Sequence, residues 1–361
     1  MDHHIRVLNP QQLQSDTLPA ERISLGVIND YKPCLANLAD GRLAVVAFHQ
    51  HQCLGGRILE EMVWQASADG GLTWTHRQVI SPLGREPYFS PLRDGALLLT
   101  AHLLPQDVRN AAGSTLVLVH RSADSGATWE STTIAPADIP GAAHDAPLGS
   151  TRNILELRDG ALLLGVGAPG GHEYLWRSHD GGRSWDKQQA MTYHGVPTPA
   201  ENWWCPLLQE AILWEAPSGD LLSLSRVDPR LFPPIPGAPI PMEDSDQYER
   251  LVLFRSRDGG ANWVYEELGS GYGEMYPAIL RLQDGRLLLT FTVRSLNPPL
   301  GVQAVLGEET ADGFRFDFAR DRLVLDEKTP PEQDSGGGFG PTIQLDSGAL
   351  VTAYSYRDAQ G

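Results

Sequence analysis

Six residues stand eight positions ahead of six Asp-Gly or Ser-Gly dipeptides: Lys32, Glu86, Thr151, Glu210, Tyr276 and Phe339. Five are polar although the runs around them are apolar, and eight is even, so β-strands would carry all six on one kind of face. Even steps forward from the same dipeptides reach Gln50, His102, Arg226, Arg294 and Arg357. A guanidinium is a planar fork that matches a carboxylate or phosphate, and Lys32 would join Arg226, Arg294 and Arg357 in a cationic arc. A phenol such as Tyr276 becomes a nucleophile only beside a base, and Glu210 belongs to the neighbouring repeat. These types in this pattern point to an anion held next to acid–base chemistry. The alternative is that each arginine pairs with an acid such as Glu86 or Glu210 as a structural salt bridge.

The elements that must position these residues come from two interleaved repeats. The first is Ser-x-Asp-x-Gly-x-(Thr/Ser/Asn)-Trp, with its aspartates at Asp69, Asp124, Asp180 and Asp258 and a degenerate copy at Asp312. Its chemistry is that of a hairpin lock, in which the carboxylate accepts backbone N–H groups, glycine takes positive φ and tryptophan packs beneath. The second repeat places an apolar run on each side of the dipeptides Asp40-Gly41, Asp94-Gly95, Asp159-Gly160, Ser218-Gly219, Asp284-Gly285 and Ser347-Gly348. That is the signature of a two-residue hairpin. The repeats alternate, so each unit of about sixty residues holds four strands, which predicts an all-β, six-bladed β-propeller forming one domain over 1–361. Only two strands of the sixth blade, one on each side of the last turn, are evident in the sequence. Ile5–Leu8 and Ile23–Val27 are therefore expected to complete it from the N-terminus.

Composition narrows the function. A net charge of −17 argues against nucleic acid as a partner. No apolar run approaches the ~18–20 residues of a membrane span. Three cysteines (Cys34, Cys53 and Cys205) are too few for a disulfide framework. The start, Met1 to Arg6, lacks the apolar core of a signal peptide, so a cytoplasmic protein is the default expectation. A secreted protein whose leader has been removed would begin the same way. His49, His51 and Cys53 recur at two-residue spacing, but a zinc site needs three or four converging ligands, and neither a metal nor another cofactor is expected.

With these repeats and this ring in view, the chain resembles the sialidase superfamily. The stretch from Gln209 and Glu210 to Arg226 looks like the family's segment carrying the catalytic glutamate and the second arginine of its carboxylate-binding triad. The resemblance implies that Glu210 activates a tyrosine nucleophile and that Arg226 grips the carboxylate of an acidic sugar. The chain departs from the family at Lys32, where a triad arginine is expected, and at Phe339, where the tyrosine is expected. The loop His49 to Gly56 also lacks the family's acidic aspartate.

Three functions remain open. The first is a glycoside hydrolase acting on an acidic sugar, with Tyr276 as nucleophile, Glu210 as its base and Glu86 or His51 as general acid. The second is a polysaccharide lyase on uronic acids, using the cations with Tyr276 and His102. The third is a glycan-binding propeller without catalysis, where Trp203 and Trp204 stack on a sugar. A proline-rich insertion, Asp228 to Met242, is expected to form a wall or lid beside the centre.

Overall fold

The computed structural model describes residues 4–195, 210–229, 232–239, 246–327 and 341–355. The chain is all-β, and its described strands fall into six sheets. Sheet one comprises Asp30–Asn37, Leu43–Gln52, Ile58–Ser67 and Gln78–Leu83; sheet two comprises Arg85–Pro91, Leu97–Leu103, Leu116–Ser122 and Glu130–Ile134. In both, consecutive strands pair antiparallel in chain order, as hairpin turns require. The inner strands of sheets three, four and five begin at Gly149, Ile212 and Glu274, and sheet six consists of Thr342–Gln344 and Leu350–Thr352. The first strand of sheet six lies against the first strands of both sheet five and sheet one, so the sheets follow one another around a ring. This arrangement is consistent with a β-propeller.

The Ser-x-Asp turns join third to fourth strands and are built alike. Asp69 accepts the Thr73 N–H at 2.9 Å and the Ser67 hydroxyl at 2.8 Å, while the Trp74 indole donates to the Gly71 carbonyl at 2.8 Å. Equivalent bonds recur at Asp124, Asp180 and Asp258. These bonds hold the Asp69, Asp124 and Asp258 carboxyls down at about 2. Asp312 keeps a reduced version, accepting only from Thr310 at 3.0 Å among side-chain donors.

A second set of bonds fastens sheet to sheet at the end bearing these turns. The residue before a turn dipeptide donates its N–H to the residue three places before the next sheet's dipeptide. Arg93 donates to Glu156 at 2.8 Å, Arg158 to Glu215 at 2.9 Å and Gln283 to Gln344 at 2.7 Å. The same side chains then reach the neighbouring turn's carbonyls, as Arg158 does with Ala216 at 2.6 Å and Pro217 at 2.8 Å. Each latch satisfies backbone groups that a lone sheet would leave to water.

The N-terminus does not complete sheet six by strand pairing. His4–Leu8 pairs with Arg322–Glu327, extending the outer edge of sheet five, and Thr17–Pro19 pairs with it in turn. Val7 is buried against Leu282, Leu288 and Leu323, and the Asp321 carboxylate accepts the N–H groups of Gln11, Gln12 and Leu13. This side-chain packing outweighs the count of missing strands. Ile23–Val27, expected as a strand, has no strand pairing, although Leu25 packs among Val45, Ile343 and Val351.

The insertion after Arg226 folds against its own sheet in its described part. Phe232 is buried on Phe254 and Tyr265, and the fully buried Arg250 donates to the Pro233 carbonyl at 2.7 Å. The Tyr272 hydroxyl accepts the Ile235 N–H at 3.1 Å, which ties 232–239 to the segment leading into sheet five.

Between sheets one and two, buried His120 contacts the Leu83 carbonyl through Nε2 at 2.9 Å and the Ser131 hydroxyl through Nδ1 at 2.7 Å. Burial pushes this imidazole down to about 4. The unfolded chain takes up a proton near pH 6.5 and the folded one does not, so stability present above that value falls as pH drops toward 4. Wild type should lose about 2 kcal/mol more than His120→Gln between pH 7 and pH 5, read from urea midpoints. Parallel losses would show that His120 is not the titrating group.

Candidate functional site

At the opposite end from the turns, the first strands carry a repeated irregularity. Lys32, Glu86, Glu210 and Tyr276 all sit in the left-handed region, with φ of 49°, 54°, 47° and 59°. The pairing skips at three of them, where Lys32-Pro33, Glu86-Pro87 and Tyr276-Pro277 each stand opposite a single residue. These are β-bulges, which re-aim a side chain at the cost of one ladder position. The proline that follows has no N–H to lose there. A non-glycine residue at such φ costs roughly 1–2 kcal/mol, and four equivalent cases imply a retained purpose.

The purpose is convergence. Arg226 Nη1 donates to Glu210 Oε2 at 2.6 Å and to the Tyr276 hydroxyl at 2.9 Å, and its Nε bonds Glu249. Arg294 also donates to the Tyr276 hydroxyl. The Lys32 ammonium bonds Glu86 and lies 3.8 Å from Glu210. Four cations ring the phenol: Arg294, Arg226, Lys32 and Arg152 stand 4.7, 5.2, 5.4 and 5.9 Å from the Tyr276 ring centre. Such cation–π contacts strengthen when desolvated.

Burial acts on every group here, and the neighbours decide the outcome. It raises the Tyr276 phenol well above its ordinary value, helped by Glu210 and opposed by Arg226 and Arg294. The phenol is neutral at neutral pH. Burial also opposes the charge of Glu86, but Lys32, Arg85 and Arg152 outweigh it and hold this carboxyl well below the usual range. Glu86 is therefore biased toward its ionised form. Burial lowers Lys32 and His102, in each case against the pull of Glu86. It likewise opposes Arg226, which Glu210, Tyr276 and Glu249 hold well above its ordinary value.

Of the residues singled out in the sequence, Lys32, Glu86, His102, Glu210, Arg226, Tyr276 and Arg294 come together. His102 pairs with Arg85 across the ladder and feels Glu86, Arg152 and Glu210. His51 stands apart at the rim, with Nε2 on Glu61 at 2.8 Å. Arg357, Trp203, Trp204 and Phe339 lie outside the described residues. Asp69, Asp124, Asp180 and Asp258 serve the turns at the far end.

Thr151 is a correction. Its hydroxyl is used locally, donating to Asn153 O at 3.1 Å and accepting from Gly165 N at 3.2 Å. The next residue, buried Arg152, faces the centre instead, 3.9 Å from Glu210. Counting in twos missed it because the inner strand of sheet three is broken between Ser150 and Leu155. It also missed Arg85, which lies 3.6 Å from both Glu86 and buried Glu60, and Glu249, which the insertion delivers. The visible signal for the bulges was the proline after Lys32, Glu86 and Tyr276.

No family model and no curated protein matches the chain. Solved structures do. A protein of unknown function from Dyadobacter fermentans aligns with a TM-score of 0.63 at 20% identity, covering 99% of this chain and 94% of that one. The NanB sialidase of Streptococcus pneumoniae aligns at 0.62 and 13% identity, covering 92% of this chain and 66% of that one. A leech intramolecular trans-sialidase aligns at 0.61 and 14% identity, covering 94% and 68%. The chain has a sialidase-like fold and spans about two thirds of the length of those two enzymes.

The bulge geometry predicts an ordering between two substitutions at one position. Glu86→Gly and Glu86→Ala both delete the carboxylate, but only alanine must be held at φ 54°. The glycine variant should be more stable than the alanine variant by about 1 kcal/mol in urea unfolding. The reverse order would show that position 86 carries no backbone strain.

Proposed function

We propose that the chain is a closed six-bladed propeller locked by its Ser-x-Asp turns, and that it hydrolyses glycosides of an acidic sugar at the Tyr276–Glu210–Arg226 centre. The observation that carries this reading is the sharing of one nitrogen, Arg226 Nη1, by the Glu210 carboxylate and the Tyr276 hydroxyl. Two arginines donate to the phenol oxygen, and Glu210, which shares Arg226 Nη1 with it, is the carboxylate that would take its proton. Losing that proton would create a phenolate among Arg152, Arg226, Arg294 and Lys32, whose charges stabilise it as it forms. A neutral nucleophile also suits a substrate with its own carboxylate, which would repel an ionised one.

The same cations supply the grip for that carboxylate, with Arg226 and Arg294 nearest the reacting oxygen. Glu86 keeps Lys32 in place and Glu249 keeps Arg226 in place. The neutral His102 imidazole near Glu86 and Arg152 would be the base in the alternative elimination on a uronic acid. Product analysis separates the two, because elimination leaves an unsaturated sugar absorbing in the near ultraviolet and hydrolysis does not.

The test is turnover of fluorogenic glycosides of acidic sugars, beginning with a sialoside. Tyr276→Phe should lower kcat by about 10³-fold or more while the substrate still binds. Arg226→Ala should raise KM by on the order of 10²-fold. A wild-type protein that turns over none of them, with ligand binding unchanged in Arg226→Ala, would overturn the reading.

A further inference from the structure

The side-chain latches at the turn end are not repeated at every seam between sheets. Where sheet two meets sheet three, the Arg93 guanidinium bonds the Leu157 carbonyl and lies 3.3 Å from that of Arg158. One seam on, Arg158 donates to the Ala216 carbonyl at 2.6 Å and to that of Pro217 at 2.8 Å. Where sheet five meets sheet six, the Gln283 amide donates to the Leu345 carbonyl at 3.0 Å. The donor is always the residue before a turn dipeptide, and the acceptors are the residues just before the next sheet's dipeptide. Between sheets one and two the donor's place is taken by Ala39, and the carbonyls equivalent to the acceptors belong to Leu92 and Arg93. Pro91 stands where Glu156 and Glu215 accept the latching N–H, and it has no side-chain acceptor.

The two sheets still meet there. A Cβ placed on Gly95 would lie 3.1 Å from the Ala39 Cβ. Beyond that methyl group is a cavity of about 370 Å³, lined among others by Asn37, Ala39, Pro91, Arg93, Asp94 and Ser125. Small-molecule sites begin at about 300 Å³. A missing donor does not open every seam. Pro217 holds the donor's place between sheets four and five, but there the Ser218 N–H donates to the Ala311 carbonyl at 2.7 Å. Arg281 also lies over the Trp214 ring in that seam, paired with Glu309.

The lining is suited to a cation. Asp94 contributes a carboxylate, and Arg93 sends its own guanidinium away to Glu156 and the turn of sheet three. The Leu92 carbonyl already accepts the Gly95 N–H at 3.0 Å within its turn. The Leu157 carbonyl takes the equivalent bond from Gly160 at 2.9 Å and accepts Arg93 as well, because a carbonyl has two lone pairs. We propose that this cavity binds a guanidinium group supplied by a ligand, in the place that Arg93 and Arg158 fill in the next two seams. The planar fork spans two neighbouring carbonyls, as Arg158 does, whereas an ammonium is a compact point charge. A net charge of −17 draws such cations toward the surface.

Agmatine and acetyl-Gly-Arg-Gly-amide present the same group, one as a free compound and the other within a peptide. Titration calorimetry should show wild type binding at least one of them, about 10-fold or more tighter than acetyl-Gly-Lys-Gly-amide. Binding of agmatine identifies a free guanidino compound as the ligand, and binding confined to the arginine peptide identifies an arginine of a partner chain. Ala39→Arg, which fills the cavity from within, should weaken the binding by about 10-fold or more and raise the urea midpoint. Ala39→Gln follows the pattern of Gln283 and should give a smaller loss, so the result does not depend on one substitution being tolerated. No binding by wild type, equal affinity for the lysine peptide, or unchanged binding in both variants would overturn the assignment. The cavity lies at the opposite end from the Tyr276 centre, so its occupancy and the hydrolase reading are tested independently.

Discussion

Everything at the centre depends on one arrangement: a guanidinium, Arg226, that binds two carboxylates and a phenol at once. Removing these charges from water costs several kcal/mol for each ion, and it is tolerable only when each is met by an opposite charge or hydrogen bond. That demand reaches far into the fold. Glu210 and Arg226 come from sheet four, Tyr276 and Arg294 from sheet five, Arg152 from sheet three, Glu86 from sheet two and Lys32 from sheet one. No single sheet could assemble such a set. Five sheets must each present a polar end to a common point while their flat faces stay apolar.

The bulges resolve that conflict locally. A regular strand leading Lys32 or Tyr276 inward would send its neighbours along the same alternation and turn core residues such as Cys34 and Ala278 out of the packing between sheets. One extra residue at positive φ lets the mouth of the strand follow one rule and its body another. The strained backbone is tolerated because the other end is pinned by the Ser-x-Asp turns and by the latches through Arg93, Arg158 and Gln283. Strain at one end and over-determination at the other is the expected division for a site that must be pre-organised.

The repeats made the sheets legible in the sequence, because hairpin dipeptides and the Ser-x-Asp turn are local chemistry that needs no partner to be recognised. The members of the centre were legible to the extent that counting from the turns survived the bulges, which it did for Lys32, Glu86 and Tyr276 because each bulge adds one residue, and for Glu210, which shares their left-handed backbone. It failed for sheet three, where the inner strand is broken between Ser150 and Leu155 and Arg152 takes the place of Thr151. It also failed where the decisive contact is long-range. Nothing near His4–Leu8 announces Arg322–Glu327 as its partner, and nothing near Asp30 announces Arg77. Edge pairing and charge pairing across tens of residues are set by packing, which single-strand patterns do not encode.

Under the proposed function, the cations at the centre suit an acidic ligand better than a neutral one. Lys32, Arg152, Arg226 and Arg294 surround the phenol, while Glu86, Glu210 and Glu249 face them. Arg85 and Glu60 stand 3.6 Å apart behind them, and burial biases Glu60 toward its neutral form. Such charges lie inside walls of low dielectric, where they are poorly screened. A neutral ligand would cover them without compensation, whereas a carboxylate could take hydrogen bonds from Arg226 and Arg294 beside Tyr276.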